Sequence, residues 1–206
     1  NEGLGVLGGK HPALKFRMAV VDPPWPSKSR GKHYKTMALE DIKRMKLSSK
    51  IAPGGIVAVW VTNSDSLVRF TEKELMKAWG LELCATWYWL KVTCKGQLQT
   101  PMLSPHKKPF EQILIGRKVS TTEQSELPSV PNNFCIVSQA AQHSRKPFLG
   151  EILSWYCGVQ CAPTESLDGI EIFAREMHSS WCSIGDQVLH FHEVTDDGVD
   201  ATSLDG

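Results

Sequence analysis

The chain of 206 residues lacks the long apolar segments that would place it in a membrane. No stretch approaches the roughly eighteen uninterrupted apolar residues that a membrane-spanning helix needs. The opening residues NEGLGVLGGK also lack the basic and apolar blocks of a secretory signal. The sequence therefore predicts a soluble, intracellular protein with no membrane partner.

The sequence is also poor in metal-binding patterns. It has six cysteines, of which only Cys157 and Cys161 lie close together, and no second pair has a matching spacing. Most of the cysteines stand inside apolar runs, so we expect reduced thiols in the core and no metal site.

Net charge is nearly absent, because the formal total is only +1. The residues from Glu193 onward are acidic, and the rest of the chain has a net charge of about +6, which is compatible with a polyanionic partner. We expect one catalytic domain over residues 1–192 and an acidic, disordered tail over 193–206.

Short apolar runs alternate with amphipathic segments, which is typical of an α/β fold with a mostly parallel sheet. The predicted strands are 18–21, 56–61, 85–92, 111–115, 134–138, 169–173 and 188–191. The predicted helices lie within 38–47, 64–80 and 146–156, with a polar surface loop over 118–133.

The stretch VVDPPW, residues 20–25, has the features of a site. Asp22 follows an apolar strand directly, where ligands of open α/β sheets bind. Pro23 and Pro24 stiffen the turn and leave carbonyl oxygens as acceptors, which would suit an exocyclic amine. Trp25 could stack on a flat base, although a packing tryptophan in a simple turn is the alternative.

A basic loop follows this turn and ends in a second aromatic residue, Tyr34. Phosphate is the natural partner of such cations, and Tyr34 could form the other wall around an extruded base. The basic residues of this loop that we assign to substrate binding are Lys28, Arg30 and Lys32.

Eight motifs in order make the chain resemble the MT-A70 family of S-adenosylmethionine-dependent adenine methyltransferases. They are DPPW at 22–25, HYKTMALEDI at 33–42, WVTN at 60–63, WYWLKV at 87–92, SPHKKPFEQILIG at 104–116, HSRKP at 143–147, IEIFAR at 170–175 and WCSIGDQV at 181–188. Within the family, SPHKKP and FAR are most similar to the branch of methyltransferase-like protein four. The resemblance implies a Rossmann-like methyltransferase fold in permuted order, with the catalytic DPPW motif before the cofactor strand.

The resemblance also implies roles for individual residues. The catalytic residues would be Asp22, Pro23, Pro24 and Trp25. The substrate would further contact Tyr34, Lys28, Arg30, Lys32, His106 and Lys107. S-adenosyl-L-methionine would contact Asp22, Lys108, Glu171, Ile172, Phe173, Arg175, Asp186 and Gln187. Near His178, Met177 replaces a polar family residue, so contacts there are expected from the backbone only.

The implied activity is N(6)-methylation of adenine in nucleic acid. The branch resemblance indicates RNA, namely 2′-O-methyladenosine in a small nuclear RNA, giving N(6),2′-O-dimethyladenosine. The expected location is the nucleus, with the cytoplasm left open as a second one. The enzyme would act as a monomer, with a heterodimer partner left open. A DNA adenine methyltransferase and a catalytically silent RNA-binding scaffold are the alternatives.

Overall fold

The fold is a seven-stranded sheet with few helices. The computed structural model describes residues 15–26, 35–105, 107–119, 127–140, 145–157 and 167–191. The strands are β1 (Phe16–Val21), β2 (Ile51–Val61), β3 (Leu81–Val92), β4 (Phe110–Lys118), β5 (Cys135–Gln139), β6 (Gly169–Ile172) and β7 (Trp181–Ile184). Their order in the sheet is β5-β3-β4-β2-β1-β6-β7.

Six of these strands run in one direction and β4 runs against them. β1 pairs in parallel with both β2 and β6, and β6 pairs in parallel with β7. β4 is antiparallel to β2 and β3, whereas β5 is parallel to β3. The start of β4 therefore lies at the same edge of the sheet as the carboxyl ends of the other strands.

The helices are short. They are α1 (Leu39–Lys43), a 3-10 turn (Leu47–Lys50), α2 (Asp65–Phe70), a π-helical turn (Thr71–Leu75), α3 (Met76–Ala78) and α4 (Gly150–Cys157). The segments from Asp65 to Ala78 follow one another without a break, and the buried Thr71 hydroxyl inside them donates to the Leu67 carbonyl at 2.8 Å. No helix among the described residues is long and apolar enough to span a membrane.

Both faces of the central strands are buried, which explains their continuous apolar sequences. One face of β1 and β2 packs on the helical run between β2 and β3, through Leu75 and Trp79. The other face packs against α4 through Leu149 and Leu153. The predicted α/β class and mostly parallel sheet are thus confirmed.

Two expectations about the fold are wrong. Residues 188–191 form turns, in which the His190 amide donates to the Gln187 carbonyl at 2.9 Å, and the last strand is instead β7. The residues of β7 are only half-buried, so β7 has no strong apolar signal. Finally, Cys84, Cys94 and Cys135 are exposed and not core thiols, because each stands at the end or on the outer face of an element.

Arg117 near the end of β4 connects three segments of the fold. Its guanidinium donates to the carbonyls of Gly54, Pro128 and Tyr156, each at 3.0 Å. The guanidinium thus joins the start of β2, the segment before β5 and the end of α4.

We predict that Arg117→Ala lowers the free energy of unfolding by about 2–4 kcal/mol, because hydrogen bonds from a charged donor contribute roughly 1.5–3 kcal/mol each. Chemical denaturation followed by tryptophan fluorescence would measure the change. Arg69→Ala is the control, since Arg69 is exposed on α2, and should change stability little. Equal effects of the two substitutions would contradict this role of Arg117.

Candidate active site

A cleft lies at the carboxyl ends of β1 and β6. The chain passes from β1 to β2 on one side and returns to β6 on the other, so β1 and β6 flank a topological switch point, where ligands of open α/β sheets bind. In this pairing Val20 lies opposite Glu171 and Val21 opposite Ile172. Asp22 follows Val21 directly, so two carboxylates emerge from neighbouring strand ends.

Strand alternation places these carboxylates on one face of the sheet. The two carboxylates line a cleft that is partly open to solvent. The sheet contributes Val20, Asp22, Trp60, Glu171 and Phe173 to its lining. The segments before α4 and after β6 contribute Lys146, Phe148, Arg175, Glu176 and His178.

Backbone hydrogen bonds hold the Asp-Pro-Pro-Trp turn. The Asp22 amide donates to the Ile172 carbonyl at 3.3 Å, the Trp25 amide to the Pro23 carbonyl at 2.7 Å, and the Met37 amide to the Pro24 carbonyl at 2.9 Å. Both proline carbonyls therefore already accept one bond, contrary to the expectation that they are free. Each oxygen retains a second lone pair, so an amine could still be accepted.

Trp25 does not offer a stacking surface. It is only 3% exposed and meets Phe70 edge-on, with ring centroids 6.5 Å apart. Its indole N–H donates to the Trp60 carbonyl at 2.9 Å. This corrects the expected stacking role, and the packing alternative describes Trp25: the indole fixes the turn to the end of β2.

Lys146 lines the cleft together with Arg175, and sequence reasoning gave Lys146 no role. Its ammonium forms an ion pair with Glu111 of β4, lies 4.0 Å from an Asp22 carboxylate oxygen and stands 5.0 Å from the centre of the Trp60 ring. Lys91 of β3 forms a second ion pair with Glu111. Burial acts to raise the pKa of Glu111, but the two lysines outweigh it and hold that pKa below its usual value.

Glu171 has the opposite environment. Burial first, then the neighbouring carboxylates of Glu176 and Asp22, raise the pKa of Glu171 to about 8. Glu176 is itself paired with Arg145, whose guanidinium donates to it at 2.9 and 3.1 Å. The surroundings of Glu171 in the cleft therefore disfavour its ionised form.

His178 completes this wall with its side chain. The imidazole stacks on Phe148 at a centroid distance of 3.9 Å, and its Nε2 lies 3.9 Å from Glu171 and 3.7 Å from Glu176. This corrects the expectation that only backbone is offered here. The aromatic Phe148 and the acid Glu176 would have been difficult to identify, because no motif spacing marks them.

The remaining predicted residues are distributed as follows. Glu171, Phe173 and Arg175 line the cleft with Asp22, whereas Ile172 is buried in the core. Lys107, Lys108, Asp186 and Gln187 are exposed and are not among the lining residues. The predictions for Lys28, Arg30, Lys32, Tyr34, His106 and the tail 193–206 lie outside the described residues.

The donor set fits S-adenosylmethionine, which has a sulfonium, an ammonium, a carboxylate and two ribose hydroxyls. Two carboxylates suit the cationic centres and the hydroxyls, and Lys146 suits the carboxylate. Ser183 of β7 lies opposite Glu171 of β6 in the strand register. The Ser183 hydroxyl is buried and has no hydrogen-bond partner among the described residues. The described residues contain no cluster of side chains suited to a metal ion.

Comparison with known proteins agrees with this geometry. The MT-A70 family profile matches residues 16–187. The chain belongs to the MT-A70 family. That range takes in both strands of the cleft, the Asp-Pro-Pro-Trp turn and Lys146.

The chain is similar in sequence to three methyltransferases that differ in the substrate their names give. The chain is 36% identical to the mouse N(6)-adenine-specific methyltransferase METTL4, over 87% of this chain and 39% of that protein. It is 35% identical to the N6-methyladenosine RNA methyltransferase MTA1 of Pyricularia oryzae, over 88% and 49%. It is 31% identical to a DNA N6-methyl methyltransferase of Caenorhabditis elegans, over 84% and 45%. The chain thus spans less than half the length of each of these relatives.

The pKa of Glu171 gives a prediction about stability. Because this pKa is about 8 when folded and near 4.5 ordinarily, the folded state binds the proton more tightly. The stability that Glu171 contributes is fully present below about pH 4.5 and is lost as the pH rises through about 8. Glu171→Gln, which cannot ionise, should therefore gain thermal stability relative to wild type as the pH rises from about 6 to about 9.

Glu111→Gln is the control, and its effect on thermal stability should have the opposite sign. The substitution removes the carboxylate that pairs with Lys91 and Lys146, so it should lower the melting temperature near neutral pH. Thermal unfolding across the pH range would measure both. A difference between wild type and Glu171→Gln that does not change with pH would contradict the environment assigned to Glu171.

Proposed function

We propose that this protein is an S-adenosylmethionine-dependent adenine N(6)-methyltransferase that acts on nucleic acid. The observation that carries the proposal is the placement of Asp22 and Glu171 at neighbouring strand ends in one cleft. One carboxylate follows a rigid, acceptor-rich turn, and the other is buried beside it. Such a pair can hold an amine and a cofactor side by side.

Asp22 orients the target amine. Its carboxylate and the free lone pair of the Pro23 carbonyl accept the two hydrogens of the exocyclic nitrogen, which directs the nitrogen lone pair into the cleft. Lys146, 4.0 Å away, favours the ionised form of Asp22 that this task needs. Bound S-adenosylmethionine would supply an activated methyl group, so no strong base is required before the transfer.

Glu171 holds the cofactor from the other side of the cleft. Its carboxylate accepts hydrogen bonds from the two ribose hydroxyls. Lys146, which lines the cleft, takes the place of the exposed Lys108 as the partner of the cofactor's carboxylate. Phe173 and Arg175 complete the cofactor wall, and Asp186 and Gln187 remain proposed contacts from the turn that follows β7.

RNA is the proposed substrate, specifically 2′-O-methyladenosine in a small nuclear RNA, with the nucleus as the site of action. The support is the branch resemblance of SPHKKP and FAR, which agrees with the similarity to mouse METTL4. Lys28, Arg30, Lys32, His106 and Lys107 would contact phosphate, and Tyr34 would stack on the adenine. We propose that the enzyme acts as a monomer.

DNA adenine is the second candidate substrate. It is favoured by the similarity to the DNA N6-methyl methyltransferase of Caenorhabditis elegans. The sugar preference would depend on contacts to the 2′ position, which distinguishes RNA from DNA.

Asp22→Asn should lower the methylation rate by about 10²–10³-fold, the loss expected when an oriented electrostatic contact to the transition state is removed. Its cofactor affinity should change little, whereas Glu171→Gln should lose cofactor binding. Nucleoside mass spectrometry of matched strands containing adenosine, 2′-O-methyladenosine or deoxyadenosine measures the first effect and the sugar preference. Calorimetry with S-adenosylmethionine measures the second.

Asp41→Asn serves as the control for both assays, because Asp41 is exposed on α1, where it pairs with Arg44 of the same helical turn. Wild-type rates in Asp22→Asn would refute the amine clamp. No methylation by the wild-type chain on any strand, with no cofactor binding, would refute the proposed function.

A further inference from the structure

A tight turn in the connection between β3 and β4 presents two large apolar side chains to solvent. The Ser104 amide donates to the Pro101 carbonyl at 3.0 Å, which makes Met102 and Leu103 the central residues of a β-turn. Leu103 is 92% exposed, the highest value among the large apolar residues described, and Met102 is 46% exposed. Full exposure of such side chains has a cost in water that packing inside this chain does not offset.

The turn has a defined backbone. Below it, the Gln99 amide donates to the Lys91 carbonyl at 3.0 Å, and the Lys91 amide donates to the Pro109 carbonyl at 2.7 Å. Val92 and Leu98 form an antiparallel bridge. The two apolar side chains are thus held at the tip of an anchored hairpin-like segment.

This turn stands at the same edge of the sheet as the cleft. β3 ends at this edge and β4, which runs in the opposite direction, begins there. Lys91 and Glu111 at the base of the connection are joined to Asp22 through Lys146. The turn therefore lies at the same edge of the sheet as the proposed amine clamp, with β4 and β2 between β3 and β1.

The charge around the turn identifies the kind of partner. The connection from Thr93 to Pro109 contains Lys95, Lys107 and Lys108 and no acidic residue. All three lysines are exposed. Apolar side chains flanked only by cations match nucleic acid, where phosphates meet the cations and the apolar groups contact base faces.

We propose that Met102 and Leu103 form a wedge that enters the base stack of the nucleic acid and fills the space vacated when the target adenine turns into the cleft. The proposal rests on the proposed function, because it names how that same site obtains its base. An enzyme that acts on a base inside a strand must remove the base from its stack, and the cost of unstacking is a few kcal/mol. Insertion of the wedge between the neighbouring bases restores stacking contact and offsets this cost.

The test compares wild type with the double variant Met102→Ser/Leu103→Ser. The probe is a short RNA with one 2-aminopurine between pyrimidines, since 2-aminopurine becomes brighter when it leaves the stack. We expect wild type to brighten the probe and the double variant to brighten it much less at saturating protein. In methylation of a paired target, kcat/KM should fall about tenfold, the equivalent of roughly one base-stacking contact.

Three further comparisons separate a wedge from a general loss of structure. Leu103→Phe retains a large apolar side chain and should preserve extrusion. Val119→Ser removes an exposed apolar side chain just after the end of β4, at the edge of the sheet opposite the cleft, and should behave as wild type. A target adenosine already unstacked in a bulge should be methylated almost equally by wild type and the double variant.

The outcomes distinguish the wedge from the proposed function. Methylation and extrusion by the double variant at wild-type levels would overturn the wedge while the function stands, and would leave the turn as a surface for a protein partner. Extrusion by wild type that the double variant lacks, without methyl transfer by either, would support the wedge and refute the function. Failure of wild type to brighten the probe would overturn the wedge.

Discussion

The burial of the Glu171 carboxylate beside those of Glu176 and Asp22 is the constraint around which the cleft is built. Parallel pairing of β1 and β6 places Asp22 and Glu171 at neighbouring strand ends, and burial limits the screening of Glu171 by water. Two like charges in such a place cannot both remain ionised without compensation. The two acids are compensated in different ways. Lys146 lies 4.0 Å from the Asp22 carboxylate, whereas Glu171 retains its proton to a pH of about 8.

This asymmetry suits the proposed chemistry. The acid that orients an amine must be ionised, and the adjacent lysine favours that form. The acid that holds the cofactor can remain neutral until a cationic ligand enters, since that ligand lowers the cost of ionising it. Without a cationic ligand, Glu171 stays protonated, so the cleft does not hold two buried anions. When a cationic ligand binds, both acids can be ionised. The Glu111 carboxylate keeps Lys146 in place, so the ion pair across β4 supports the site at β1.

Sequence reasoning reached the fold class, six of the seven strands and the two acids, because each has a local signature. Apolar runs bounded by turns mark the buried strands, and Asp22 and Glu171 stand within recognisable motifs. It missed β7, whose residues are half-buried, and it misjudged Trp25, because a sequence does not show whether an indole after a turn points into solvent or into the core. Lys146 and Glu176 were missed for another reason: their roles depend on contacts with residues 35 and 31 positions away, Glu111 and Arg145.

The reversed direction of β4 joins these features. In a sheet with only parallel strands, the amino end of each strand lies far from the ligand edge. Because β4 is antiparallel, its first residues reach that edge, and Glu111 can hold Lys146 next to Asp22. The same reversal makes the connection from β3 to β4 a direct return at the ligand edge, which places Met102 and Leu103 at the same edge as the cleft and not at the opposite end of the sheet. One reversed strand therefore provides both the support of Asp22 and the surface that we propose for the substrate.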